Sequence, residues 1–195
     1  MDKKKLIQQR IQSSIDVKNS ILNNDIILNT INAIAQLIIR SFKQGNSVWL
    51  CGNGGSAADA QHIAAELSGR YYFDRPPLPA EALHVNTSYL TAVANDYGYD
   101  DIYARYIMAV GKKGDVLIGI STSGNSKNVV NAFKQAKEQG LVLVALTGEK
   151  SSQLEVLSDY CIKVPSLDTP RIQETHILIG HILCELVESD LFNTK

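Results

Sequence analysis

The chain has 195 residues, 45% hydrophobic and 20% charged, a composition able to bury a real core in one generous domain. Its net charge of −1 gives no electrostatic case for a nucleic-acid partner or an acidic membrane surface. Cys51, Cys161 and Cys184 show no CxxC spacing and read as buried thiols, and no run is apolar enough to cross a bilayer, so a cytoplasmic protein without a membrane partner is expected.

Residues 1–45 read as helical. Ile11, Ile15 and Leu22 share one face, Ile27, Ile31, Ile34 and Ile38 repeat at helical spacing, and Asn23-Asn24-Asp25 supplies a break with a fresh cap. The second of these segments is apolar on more than one side, with Leu28, Leu37, Ile39 and Phe42. It is either a core helix or a helix that also covers a neighbouring subunit.

From residue 47 the texture changes. Short apolar runs at 47–51, 80–85, 115–120, 141–146 and 160–164 alternate with helical patterns at 56–69, 88–95, 101–110, 126–139, 151–157 and 170–190. Near-continuous apolar strands separated by helices predict a parallel sheet covered on both faces, an α/β fold with ligands beyond the carboxyl ends of its strands. The stretch 70–82, with Pro76, Pro77 and Pro79, is the one long irregular segment.

Two loops follow predicted strands and open helices. The first is Asn53-Gly54-Gly55-Ser56, where Ser56 and Asp59 have nearly the spacing of a capping box. The second, around Gly124, places Ser121, Thr122, Ser123 and Ser126 within six residues. Ser/Thr/Gly clusters also serve as plain turn chemistry. Their position before a helix, whose first N–H groups are unpaired, favours an anion site, with a sugar phosphate fitting best. Neither loop matches a dinucleotide or Walker pattern, so no nucleotide or organic cofactor is expected.

His62 and Glu66 stand one turn apart on the helix after the first loop, projecting from one face. The last helix carries Gln173 and His181, with Thr169 as a candidate N-cap and Pro170 in its first turn. A histidine and a carboxylate meeting a second histidine could form a divalent-metal site or an acid–base pair. Equally, His62 could be a hydrogen-bonded core residue; spacing alone cannot bring the two helices together. His84 and His176 are read as structural.

The stretches "CGNGGSAADAQHIAAELSGR", "ANDYGYDDIYARY", "GDVLIGISTSGNSKNV" and "PSLDTPRIQETHILIGHILCELVE" closely resemble the phosphoheptose isomerase family of the SIS (sugar isomerase) fold. The likeness runs in order from about residue 45 to 190. It implies a three-layer α/β/α fold with a five-stranded parallel sheet (46–195) and an N-terminal helical arm (1–45) of the same domain, used in a homotetramer with sites at subunit contacts. It implies interconversion of sedoheptulose 7-phosphate and D-glycero-D-manno-heptose 7-phosphate. Substrate contacts would be Asn53, Gly54, Gly55, Glu66, Asn95, Asp96, Ser121, Thr122, Ser123, Ser126 and Gln173. Glu66 and His181 would be the acid–base pair, and His62, Glu66, Gln173 and His181 would hold one zinc ion per subunit. The alternative is a non-catalytic SIS protein that binds a replication initiator; it resembles this chain in scaffold but lacks the equivalents of Glu66 and His181.

Overall fold

The computed structural model describes residues 2–192. Two long helices come first, α1 (Lys3–Leu22) and α2 (Asp25–Lys43). The break between them follows from Asn24, whose carboxamide oxygen accepts from the N–H groups of Ile26 and Ile27 at 3.1 and 3.2 Å. Then follow β1 (Val48–Gly52), α3 (Gly55–Ser68), β2 (Ala80–Ala82), α4 (Thr87–Asp96), a 3₁₀ turn (Tyr99–Asp101) and α5 (Ile102–Val110). The chain closes with β3 (Val116–Ile120), α6 (Lys127–Glu138), β4 (Val142–Gly148), α7 (Gln153–Leu157), β5 (Tyr160–Val164) and α8 (Thr169–Phe192).

The five strands form one parallel sheet in the order β2-β1-β3-β4-β5. Successive side chains along a strand face opposite sides, and the core is accordingly split in two. Leu50, Ile118 and Ile120 pack with α2, α3 and α8, whereas Cys51 and Leu117 pack with α5 and α6. The chain leaves β1 to one side to make β2 and returns on the other to make β3. That reversal opens a crevice between the carboxyl ends of β1 and β3, where doubly wound sheets hold ligands. Both predicted loops emerge there.

Three local expectations need correction. Ser56 and Asp59 form no capping box: α3 starts at Gly55, its N-cap is Gly54 with no side-chain cap, and Ser56 is buried. Asp168, rather than Thr169, closes the first turn of α8, its carbonyl accepting from Ile172 N–H at 3.0 Å. The second strand stops at Ala82; Leu83 N–H still bonds Leu50 O at 2.9 Å, but a turn from Ala82 to Val85 then ends the ladder at this sheet edge.

The proline-rich segment is irregular yet firmly held. Glu188 on α8 accepts from the N–H groups of Tyr71, Tyr72 and Phe73 at 2.9, 2.5 and 3.0 Å, and from Arg75 Nε at 2.9 Å. Arg75 in turn donates to the carbonyls of Glu66 and Leu67 at 2.8 Å each, capping the open end of α3.

Candidate active site

The second loop folds on its own hydroxyls. Ser121, which is buried, lies 3.0 Å from Ser126 Oγ and 3.5 Å from Ser123 Oγ, and accepts from Gly124 N–H at 3.2 Å. Gly124 has φ +64°, and a Cβ there would strike Ser152, so only glycine suits this turn. Thr122 and Ser123 line a cleft of about 280 Å³ shared with Gly148, Ser166, Thr169 and Ile172. Lys150 also lines it, beside Glu149. Lys150 adds a cation, from a loop after β4 that carried no motif.

The first loop enters α3 through Gly54, at φ +55° and ψ −121°. Its Asn53 carboxamide bonds the carboxamide of Asn128, and Tyr99 O–H donates to Asn53 Oδ1 at 3.0 Å. On the other side, the Gln173 carboxamide is seated against Gly55, with Nε2 2.8 Å from where a Cβ would stand. Gly54 and Gly55 are exposed, as a backbone contact to a ligand requires. Asn95 and Asp96, at the end of α4, are exposed and bond each other, Nδ2 to Oδ1, at 2.8 Å.

The third group joins α3 to α8. His62 Nε2 lies 3.1 Å from Glu66 Oε1 and 3.2 Å from His181 Nε2. These three residues present ligand-type atoms all within 4.8 Å of one another, within a single chain. The His62 side chain is 51% exposed, which removes the reading of it as a core residue. The two separations from His62 fit a common cation: ligands at about 2.0–2.1 Å from a tetrahedral centre stand about 3.3–3.4 Å apart. His62, Glu66 and His181 thus form a group that could hold a metal ion. Among the described residues, no hydrogen bond joins Gln173 to these three, so the structure places it at the first loop.

Two neighbours were not anticipated. Asp59, one turn before His62, has a buried Oδ2 without a partner, and burial raises its carboxyl pKa against the pull of His62 and His181. Tyr71 sets its ring 5.9 Å from that of His181, tilted by 33°. The i, i+3 spacing of Asp59 and His62 is the only sequence signal for the first; nothing marks the second. His176, one turn and a fraction before His181, is fully buried and bonds Thr147 O through Nε2 at 3.1 Å, a structural role as expected.

A parallel sheet with two glycine-bearing loops at its switch point is the arrangement in which ligand-binding α/β proteins hold their ligands. The SIS domain model matches residues 19–148, and the chain belongs to that family. Phosphoheptose isomerase of Aneurinibacillus thermoaerophilus is 53% identical over 189 residues, covering 97% of this chain and 96% of that one. Phosphoheptose isomerase of Mycobacterium tuberculosis is 54% identical over 179 residues, covering 92% and 91%. Among solved structures, a phosphoheptose isomerase from Francisella tularensis superposes with a TM-score of 0.93 at 34% identity, covering 97% of this chain and all of that one. The counterpart from Neisseria gonorrhoeae gives 0.89 at 39% identity, covering 95% and 98%. Within the SIS family the chain therefore falls among the phosphoheptose isomerases, and it is an enzyme, a phosphosugar isomerase. The non-catalytic alternative is set aside.

Proposed function

We propose that this enzyme interconverts sedoheptulose 7-phosphate and D-glycero-D-manno-heptose 7-phosphate through an enediolate, as the first step towards nucleotide-activated heptoses for lipopolysaccharide or other surface glycans. The observation that carries this reading is the meeting of Glu66, His62 and His181 in one chain, on α3, which opens at the first loop, and on α8, whose first turn lines the hydroxyl-bearing cleft.

Moving a proton between C1 and C2 requires a base over the carbon, a proton donor at the oxygens and a distant anchor for the opened sugar. The second loop, with Ser121, Thr122, Ser123 and Ser126, anchors the phosphate, and Lys150 balances its charge. Glu66 holds His62 with Oε1, leaving Oε2 to take the carbon-bound proton. His181 serves the sugar oxygens. Asn53, Gly54, Gly55, Asn95, Asp96 and Gln173 orient the chain of hydroxyls. One zinc ion per subunit, held by His62, Glu66 and His181, with Gln173 as the fourth ligand once its side chain leaves its seat against Gly55, would polarise the oxygens and stabilise the enediolate. A carboxylate that also holds a cation is a weaker base, so Glu66 serves both roles only by releasing one oxygen.

The same reading includes a cytoplasmic homotetramer with sites at subunit contacts. Ile7, Ile11 and Ile15 support it, since they lie exposed on one side of α1. Light scattering of the purified protein checks the assembly. For the chemistry, the purified protein is mixed with sedoheptulose 7-phosphate, with and without a chelator, and aldose formation is followed. Turnover supports the assignment; inert protein in both conditions, with bound zinc verified in the sample without chelator, overturns it.

A further inference from the structure

Asn128 contacts neither the cleft nor the His/Glu/His group, and it is 2% exposed at the first turn of α6. Its carboxamide forms a reciprocal pair with Asn53: Asn53 Nδ2 donates to Asn128 Oδ1, and Asn128 Nδ2 donates to Asn53 Oδ1, each at 2.8 Å. Reciprocal amide pairs are symmetric and by themselves leave open which end of each side chain is oxygen. Here the backbone breaks the symmetry. Val129 N–H, which can only donate, lies 3.0 Å from Asn128 Oδ1 and fixes that atom as oxygen. Asn128 Nδ2 must then face Asn53 Oδ1, where Tyr99 O–H makes the second donation at 3.0 Å. Both lone-pair directions of Asn53 Oδ1 are filled, and one of its two N–H bonds is used. The single valence left on Asn53 is an N–H donor.

We propose that Asn128 is a positioning residue that locks the Asn53 carboxamide so that it meets the substrate as a donor, selecting an oxygen acceptor, a hydroxyl or carbonyl of the sugar, at that point. This rests on the reading of Asn53 as a substrate contact. The lock also ties the loop after β1 to the helix after β3, so the two walls of the switch-point crevice keep a fixed separation. A contact of this kind is made equally in ground and transition states, and its loss raises KM with little change in kcat.

The test is Asn128→Asp, which is isosteric but replaces the N–H facing Asn53 Oδ1 with a carboxylate oxygen, so that either orientation of the Asn53 carboxamide leaves one O···O contact and the lock is lost. With sedoheptulose 7-phosphate as substrate, KM is expected to rise roughly tenfold, the loss of about one hydrogen bond, with kcat held within about twofold. In an Asn53→Ala background the same change should alter KM by less than about twofold, because the group it positions is gone. An unchanged KM in the single variant, or effects that multiply in the double variant, overturns the proposal. A second measurement needs no variant to fold: in ¹⁵N-labelled wild-type protein, one Asn53 side-chain proton should be protected from exchange and the other should shift on adding the sugar phosphate. Two freely exchanging protons in an active enzyme would count against the lock. A protected Asn53 in an enzyme without turnover would count instead against the substrate assigned above.

Discussion

Arg75 and Glu188 are 113 positions apart in the chain, yet their side chains meet at 2.9 Å and each is 1% exposed. Glu188 gathers three backbone N–H groups of the segment that carries Tyr71, and Arg75 caps the helix that carries Glu66. One buried ion pair thereby holds the aromatic beside His181 and the end of the helix bearing the candidate base. Burial alone would raise the Glu188 pKa, but these donors outweigh it and hold it below the usual value. Arg75→Met leaves a buried carboxylate without its counter-ion. The expected loss is roughly 3 kcal/mol of unfolding free energy, measured in urea. A loss within experimental error would show that the three backbone donors suffice.

Glu66→Gln keeps the size of the side chain and removes the base. Turnover should fall by roughly 10²–10⁴-fold, while sugar-phosphate binding, measured calorimetrically, stays within about threefold. Retained turnover would move the proton transfer to another group.

Gly55→Ala separates stability from chemistry. The new Cβ stands 2.8 Å from Gln173 Nε2, the movable end of a flexible side chain, so the fold adjusts by displacing Gln173. Thermal stability should hold or rise slightly, since alanine is favoured over glycine in a helix by up to about 1 kcal/mol. Turnover should nevertheless fall, on the order of tenfold, as Gln173 loses its place. Full activity would remove Gln173 from the site.

Removing metal should be read in stability as well as rate. Zinc added to chelator-treated protein at about 100 times its dissociation constant should add roughly 2.7 kcal/mol to the unfolding free energy. His62→Gln should abolish that gain, because the group loses the atom shared between Glu66 and His181. A gain that survives this substitution would place the ion elsewhere.

His176 gives the fold a pH limit. Burial lowers its pKa to about 4, partly offset by the bond to Thr147 O. The unfolded chain protonates this ring near 6.5 and the folded chain only near 4, so between those values the unfolded state binds more protons. The stability it confers is complete above about pH 6.5 and is lost as the pH falls towards 4, by up to about 3 kcal/mol. His176→Gln, which can still donate to Thr147 O, should flatten that slope in urea titrations at several pH values. An identical slope would assign the acid sensitivity to other groups.

The sequence by itself determined the elements and their alternation. Helical and strand periodicities are local, and so are the signals for the Asn24 cap and for the loops at Asn53 and Ser121. The i, i+4 spacing put His62 and Glu66 on one face before any helix had a neighbour. Tertiary structure alone decided what meets what. The approach of α3 to α8 that sets His62 against His181, the clamp of Arg75 on Glu188 and the pairing of Asn53 with Asn128 join residues 75 to 119 positions apart. Such contacts follow from the order of the strands and from which face of each helix is buried, and no local pattern encodes them. Asp59 shows the same limit in miniature: its spacing suggested a helix cap, but the fold sets its carboxyl within the field of two imidazoles, one of them on α8.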